Sequence, residues 1–540
     1  MLEENKKMTK RVAVIGAGAS GLTAIKCCLD EGLEPTCFEK TDDIGGLWRY
    51  KDEPEDGRAS IYKSVVINTS KEMMCFSDFP TPEDFPNYMH NSRIMEYFRM
   101  YAEKFNLLKY IQNKTAVCSI KKTQDFPTTG QWIVTTEREG KQDTAIFDAV
   151  LICTGHHSFP NLPLSSFPGI EQFKGQYLHS REYKLPDNFK GKRVLVIGIG
   201  NSGGDIAVEL SRTAEKVFLS TRRGAWVTHR VAKNGYPRDI ANVSRFQNLI
   251  RKILPSSVTN YMVESALNSR FNHCNFGLLP QHRFSGQHPT VNDELPNRIF
   301  SGYVQIRPNV KEFTSTDVIF EDGTVEKNID AVIFATGYSI SFPFCDHSLL
   351  RVNNNKVYLY KYMFPYHLEM YTLAVVGLIQ PIGAIMPISE LQCRLATRVF
   401  KGLVKLPDKE AMAFDIGKKK FKMDHRYVPS QRHTIQVDYV EYMDELATLL
   451  GVKPDLLRLF ATDPSLGFQV LFGPCTPYQF RLMGPGRWSG AKNAIMTQWN
   501  RIIKPTKTRT LKNSTQDASF PKMLIVGAIV IILAIFMFYY

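Results

Sequence analysis

Two glycine-rich turns, each entered from an apolar run, constrain this chain more than any other feature. The first is Val12-Ala-Val-Ile-Gly16-Ala17-Gly18-Ala19-Ser20-Gly21, and the second is Val194-Leu-Val-Ile-Gly198-Ile-Gly200-Asn201-Ser202-Gly203. Each apolar run reads as a buried parallel strand, and the residues after the glycines read as a helix. The first glycine of such a set permits the tight turn, the second lets backbone approach a pyrophosphate, and the third allows close helix–strand packing. Phosphates then lie on the helix N-terminus, where free N–H groups and the macrodipole favour negative charge. Two dinucleotides in one chain imply that electrons pass from one to the other.

The residues after each turn point to different nucleotides. A second strand, Pro35-Thr-Cys-Phe38, ends in Glu39, 23 residues beyond Gly16. A carboxylate there accepts hydrogen bonds from two ribose hydroxyls, which suits FAD or NAD. The same count from Gly198 reaches Thr221, followed by Arg222 and Arg223. A hydroxyl and two arginines suit a 2′-phosphate, which arginine grips with a bidentate fork. The second site therefore reads as NADP(H). Two further strand endings, Thr154-Gly155 and Thr336-Gly337, place a small turn where a strand leaves its sheet. The run Gly200-Asn-Ser202-Gly-Gly204 also matches the nucleophile elbow of hydrolases. Gly198 completes a dinucleotide turn over it, and a first such turn has no place in a hydrolase, so Ser202 reads as a loop residue.

Composition bounds the rest. At 540 residues the chain suggests three or four domain-sized units of roughly 150 residues each. The 10 cysteines include no C-x-x-C spacing, which argues for reduced thiols and against both a zinc site and a flavin disulfide reductase. No metal is expected. A formal charge of +14 suits a membrane-facing protein with two anionic nucleotides. No dense basic stripe interleaved with aromatics is present, so nucleic acid is not an expected partner.

The two ends read differently. Met1 to Met8 is charged and lacks the apolar core of a signal peptide. Leu524 to Tyr540 is 17 consecutive uncharged, mostly apolar residues, the short limit of a bilayer span of roughly 17–25 residues. An apolar core helix is the alternative. Arg501, Lys504, Lys507, Arg509 and Lys512 precede it and would keep the upstream part cytosolic while attracting anionic lipid. The sequons at Asn68, Asn113, Asn242 and Asn513 would then never meet a lumen. No internal repeat is legible apart from the two turns.

Between the turns lies Phe173-Lys-Gly175-Gln-Tyr-Leu-His179-Ser-Arg-Glu-Tyr183-Lys184. With the two turns it resembles the F-x-G-x-x-x-H-x-x-x-Y/F-K signature of the flavin-containing monooxygenases. The resemblance extends through Ser70-Lys-Glu-Met-Met-Cys-Phe-Ser-Asp78, Asn292-Asp-Glu-Leu-Pro296, Gly377-Leu-Ile-Gln380-Pro and Phe472-Gly-Pro-Cys-Thr-Pro477. It points to the vertebrate microsomal (dimethylaniline monooxygenase) branch.

That resemblance implies FAD and NADPH as cofactors. It also implies a C4a-hydroperoxyflavin that oxygenates soft nitrogen and sulfur nucleophiles among lipophilic small molecules. Baeyer–Villiger oxygenation of ketones or aldehydes, or release of H₂O₂ as an NADPH oxidase, is the alternative on the same scaffold. Tyr183-Lys184 stands where related Baeyer–Villiger enzymes carry Trp, which favours heteroatom oxygenation. The cofactor brings the reactive chemistry while protein positions it and excludes water, which fits the lack of an acid–base pair or nucleophile triad.

By the same resemblance, Gly16, Ala17, Gly18, Ala19, Ser20, Gly21, Glu39, Leu47, Trp48, Ile67 and Thr69 hold FAD. Asn68 and Asn201 are the catalytic amides over flavin and nicotinamide, although Asn68 after Val65-Val-Ile67 also suits a plain turn cap. Gly198, Gly200, Ser202, Gly203, Gly204 and Asp205 lie at NADP(H), with Thr221, Arg222 and Arg223 at its 2′-phosphate and Gln380 facing the flavin. His179 alone reads as a structural histidine.

The expected fold is α/β with two Rossmann-like dinucleotide-binding domains, the NADP domain inserted in the FAD domain, plus a C-terminal membrane anchor helix. The expected bounds are 8–165 and 336–515 for the FAD domain and its completion, 166–335 for the NADPH domain, and 523–540 for the anchor. O₂, small lipophilic amines, sulfides or ketones, and membrane lipid are the expected partners, and a homodimer is left open. The expected location is the endoplasmic reticulum membrane, with the catalytic part on the cytosolic face.

Overall fold

Strand Arg11–Ile15 is the centre of the first sheet because four of its five residues are buried, leaving no polar face to solvate. It pairs in parallel with Glu34–Phe38 on one side and Ala149–Ile152 on the other. Ile111–Gln112 and Leu373–Val375 add the outer strands, so all five run parallel. Strand Arg193–Ile197 plays the same part in a second five-stranded sheet, between Lys216–Ser220 and Ala331–Phe334, with Val304–Arg307 and Gln176–His179 outside. The near-continuous Val/Ile/Leu runs are what strands buried on both faces require. This computed structural model describes residues 9–509. The N-terminal extension, Lys512, Asn513 and the anchor expected over 523–540 lie outside them.

The chain leaves the first sheet at Ile152, builds the second sheet with residues 176–334, and returns to add Leu373–Val375 beside Ala149–Ile152. The second unit thus interrupts the first. Helix Met386–Phe400, buried on nearly every face, then lies against helix Ala19–Asp30 and completes the first core.

Repetition goes further than the two glycine turns, contrary to the reading of the sequence. In each unit a three-stranded antiparallel meander precedes the parallel strand that pairs with the strand before the glycine turn: 116–147 before Ala149–Ile152, and 310–326 before Ala331–Phe334. An aspartate at the same point closes both, Asp148 accepting from the Arg11 N–H at 2.7 Å and Asp330 from the Arg193 N–H at 2.8 Å. The meanders were illegible because their half-exposed strands tolerate almost any alternating sequence.

The β-branched and aromatic residues of Val357-Tyr-Leu-Tyr360 suggest one strand, which the chain does not form. Only Lys356–Val357 pairs. Beyond it the chain reverses, with Lys361 and Tyr362 both at positive φ (53° and 55°) and the Tyr360 N–H donating to the Phe364 carbonyl.

Candidate active site

Each glycine turn is built so that a side chain would destroy it. Gly16 and Gly198 adopt φ of +97° and +105°. A Cβ on Gly21 would lie 1.8 Å from the Gly16 carbonyl oxygen, and one on Gly203 would lie 1.8 Å from that of Gly198. Gly18 and Gly200 are the N-caps of helices Ala19–Asp30 and Asn201–Leu210, and no side chain caps either helix. Two helix N-termini therefore present their N–H groups, which is the chemistry a pyrophosphate needs.

Around the first turn, the Glu39 carboxylate accepts the Ala17 N–H at 2.7 Å and both the N–H and hydroxyl of Thr41. These bonds fix the acid at the end of its strand with lone-pair capacity left for ribose hydroxyls. The loop Asp43-Ile-Gly-Gly-Leu47-Trp48 folds back on the turn: the Gly45 N–H donates to Ala17, and Gly46 lies against Gly18. Arg58 pins that loop by donating to the Gly46 and Arg49 carbonyls. Ser20 turns its hydroxyl to Ser389 at 3.2 Å, leaving Ala19, Ser20 and Gly21 to meet a phosphate through backbone. The buried Ile67 N–H donates to Met89, which sets the chain that carries Asn68 and Thr69.

The two asparagines share a property that motif reasoning missed. Asn68 Oδ1 accepts from Arg230 Nη2 at 2.7 Å, and Arg230 is itself paired with Asp293. Asn201 Oδ1 accepts the Val291 N–H at 2.9 Å. A carboxamide whose oxygen is engaged keeps its NH₂ donors for another acceptor. Gln380 is held in the same way, its Oε1 accepting from Gln436 at 2.8 Å.

Around the second turn, Gly204 packs on Thr290. Asp205 is engaged by protein, its carboxylate accepting from Tyr62 at 2.7 Å and Asn292 at 2.8 Å. Burial raises its pKa. Asp205 thus ties the two units together through Tyr62. Thr221 Oγ1 accepts the Gly224 N–H and shapes the turn after Ser220. Arg222 is exposed and, among the described residues, carries no ion pair. Ser202 lies in the first turn of the helix.

The signature residues form joints. His179 Nε2 lies 2.9 Å from the Gly337 carbonyl, and its Nδ1 accepts the Arg181 N–H. Tyr183 donates to Glu209 within the second unit, and Lys184 donates to Ser60, clamping the first unit on the second. Arg501 does not remain free for lipid as expected: it is buried on Glu72. Sequence reasoning also missed Tyr62, Arg58, Arg230 and Arg432. Each is a single polar residue without a spacing to flag it.

Buried histidines make the structure acid-sensitive. Burial is the main cause that holds His157, His179 and His433 at about 4 and His288 at about 3, from an ordinary 6.5. The folded values lie below the unfolded one, so the unfolded chain binds more protons between them. Stability is then full above about 6.5 and falls as pH drops toward 4. The melting temperature of the FAD-loaded enzyme is expected to decline steadily from pH 7 to pH 5; a flat profile would contradict these buried, neutral imidazoles.

Two Rossmann-like units joined by buried polar contacts define a protein with two dinucleotide sites. The chain belongs to the flavin-binding monooxygenase-like family, whose model matches residues 9–540. It is 62% identical over 531 residues to flavin-containing monooxygenase 5 of Rattus norvegicus, covering 98% of this chain and 99% of that one. It is 57% identical to dimethylaniline monooxygenase [N-oxide-forming] 2 of Macaca mulatta over 529 residues, covering 98% and 99%. Among solved structures, S-allyl-L-cysteine S-oxygenase from Allium sativum superposes with TM-score 0.63 at 24% identity, covering 93% of this chain and 99% of that one. Cyclohexanone monooxygenase from Rhodococcus sp. Phi1 bound to NADP⁺ gives 0.57 at 18%, covering 82% and 98%. The protein is an NADPH-dependent flavin monooxygenase, with FAD and NADPH as its cofactors.

Proposed function

We propose that this enzyme transfers one oxygen atom of O₂ to soft nitrogen and sulfur centres of small lipophilic molecules, the other oxygen leaving as water. FAD bound at the first turn and reduced by NADPH supplies the oxygen chemistry. The observation that carries the reading is the pair of carboxamides, Asn68 and Asn201, whose oxygens are held by Arg230 and the Val291 N–H. Their N–H donors are set to stabilise developing negative charge on oxygen without supplying an acid or nucleophile of their own. The N-oxide-forming activity in the printed name of a 57% identical relative supports nitrogen as an acceptor.

We extend the proposal to location: residues 523–540 anchor the enzyme in the endoplasmic reticulum membrane, with residues 9–509 on the cytosolic face. Exposed apolar side chains at Leu249, Ile253, Tyr261 and Met262, near Arg251 and Lys252, suit a surface that rests against lipid. Parallel incubations with a tertiary amine, a thioether and a methyl ketone test the substrate class. N-oxide and sulfoxide formed in step with NADPH consumption are expected. Ester as the dominant product, or H₂O₂ accounting for all NADPH, would replace the proposal with the Baeyer–Villiger or oxidase reading.

A further inference from the structure

Arg432 reaches the second glycine turn from the C-terminal third of the chain. Its Nη1 and Nη2 lie 3.3 and 3.4 Å from the position a Cβ on Gly200 would occupy. The guanidinium therefore stands beside the N-cap of helix Asn201–Leu210. Among the described residues, its side chain has no carboxylate, hydrogen-bond acceptor or aromatic partner, and burial alone lowers its pKa.

Its charged surroundings offer no compensation. His157, His288 and His433 all feel its charge and are held neutral. His288 Nδ1 and His433 Nε2 are buried without a hydrogen-bond partner. Two positive ends thus meet: a guanidinium and a helix N-terminus carrying roughly half a positive charge. Side by side in this half-buried cleft they repel, and the arrangement is costly without a counter-charge. An anion that accepts from both removes the conflict.

We propose that Arg432 is a ligand of the dinucleotide pyrophosphate at the second glycine turn, the charged donor that the glycine backbone lacks. A guanidinium suits the task because its fork donates to two phosphate oxygens at once. The assignment rests on reading the second turn as the NADPH site. It differs in kind from that of Arg222 and Arg223. A 2′-phosphate contact distinguishes NADP⁺ from NAD⁺, whereas a pyrophosphate contact serves both nucleotides equally. It also joins residues 432–438 to cofactor binding, since Gln436 of that segment holds Gln380.

Calorimetric titration of the oxidised, FAD-loaded full-length enzyme with NADP⁺ and with NAD⁺ tests this without turnover. Arg432→Gln is expected to weaken both nucleotides by the same factor, roughly tenfold to a hundredfold for a lost charged hydrogen bond. Arg432→Lys recovers part of the loss, and flavin content stays at the wild-type level. Arg222→Ala, in contrast, weakens NADP⁺ alone. Wild-type affinities in Arg432→Gln, or loss confined to NADP⁺, would overturn the assignment. If Arg432→Gln purifies without flavin, Arg432→Lys decides: retained affinity for both nucleotides supports the assignment and equal loss overturns it. Should Arg222→Ala leave the preference for NADP⁺ intact, the reading of the second turn fails independently of Arg432.

Discussion

Gly21→Ala is expected to yield protein without flavin, and Gly203→Ala protein that keeps its flavin but is no longer reduced by NADPH. Each added methyl would lie 1.8 Å from a carbonyl oxygen, on Gly16 and Gly198 respectively. Backbone must move, and the backbone concerned is the turn that receives the pyrophosphate. A displacement of about 1 Å at such a contact costs on the order of a hundredfold in the affected step. The two sites differ in outcome because the turns lie on separate sheets with separate cores. Flavin-to-protein absorbance and anaerobic bleaching by NADPH measure both. Loss of both cofactors in either variant, or of neither, would contradict two separate nucleotide-binding turns.

The second large effect lies far from the glycine turns. Glu72 is fully buried. Its carboxylate receives Arg501 Nε at 3.0 Å, Arg501 Nη2 at 2.7 Å and the Tyr478 hydroxyl at 2.7 Å. These bonds tie helix Ala491–Ile503 and the segment Pro477–Arg481 to the short helix Lys71–Met74, just beyond Asn68. Glu72→Ala leaves a buried guanidinium unpaired, for which about 3–5 kcal/mol of destabilisation is expected. The melting temperature of the FAD-loaded enzyme reports it. A double variant, Glu72→Leu with Arg501→Met, removes both charges and is expected to recover much of the loss. A single variant as stable as wild type would show that the pair contributes little.

What the sequence disclosed follows from what kinds of requirement leave a local trace. A glycine turn is a demand on backbone, so Gly16, Gly21, Gly198 and Gly203 declare themselves without neighbours. Glu39 is legible because strand length fixes its distance from Gly16. The meanders left no mark, since the alternation of buried and half-exposed residues along Trp132–Thr136 is not matched by an alternation of apolar and polar residue types. Most of the site's polar joints were equally hidden. Tyr62 meets Asp205 across 143 residues, and Arg230 meets Asn68 across 162. No periodicity links such pairs, because the sheet order that brings them together is a property of the whole chain. Asp205 illustrates this: the resemblance places it at NADP(H), and its bonds to Tyr62 and Asn292 leave no local trace in the sequence.

These joints also explain how the protein contributes to a reaction whose chemistry belongs to its cofactors. The first unit supplies Asn68, the second supplies Arg230 and Asp293, and the donor that orients Asn68 crosses between them. Orientation of one nucleotide's surroundings thereby depends on the unit that binds the other.

In the proposed reaction, hydride from NADPH would reduce the flavin, one atom of O₂ would pass to a soft nucleophile, and the other would leave as water. The most direct test reduces the FAD-loaded enzyme anaerobically with one equivalent of NADPH, then admits O₂ together with excess thioether. Complete bleaching of the flavin is expected before oxygen is added, followed by nearly one sulfoxide per NADPH and little H₂O₂. Flavin that NADPH cannot bleach, or bleached flavin that returns with H₂O₂ and no sulfoxide, would contradict it.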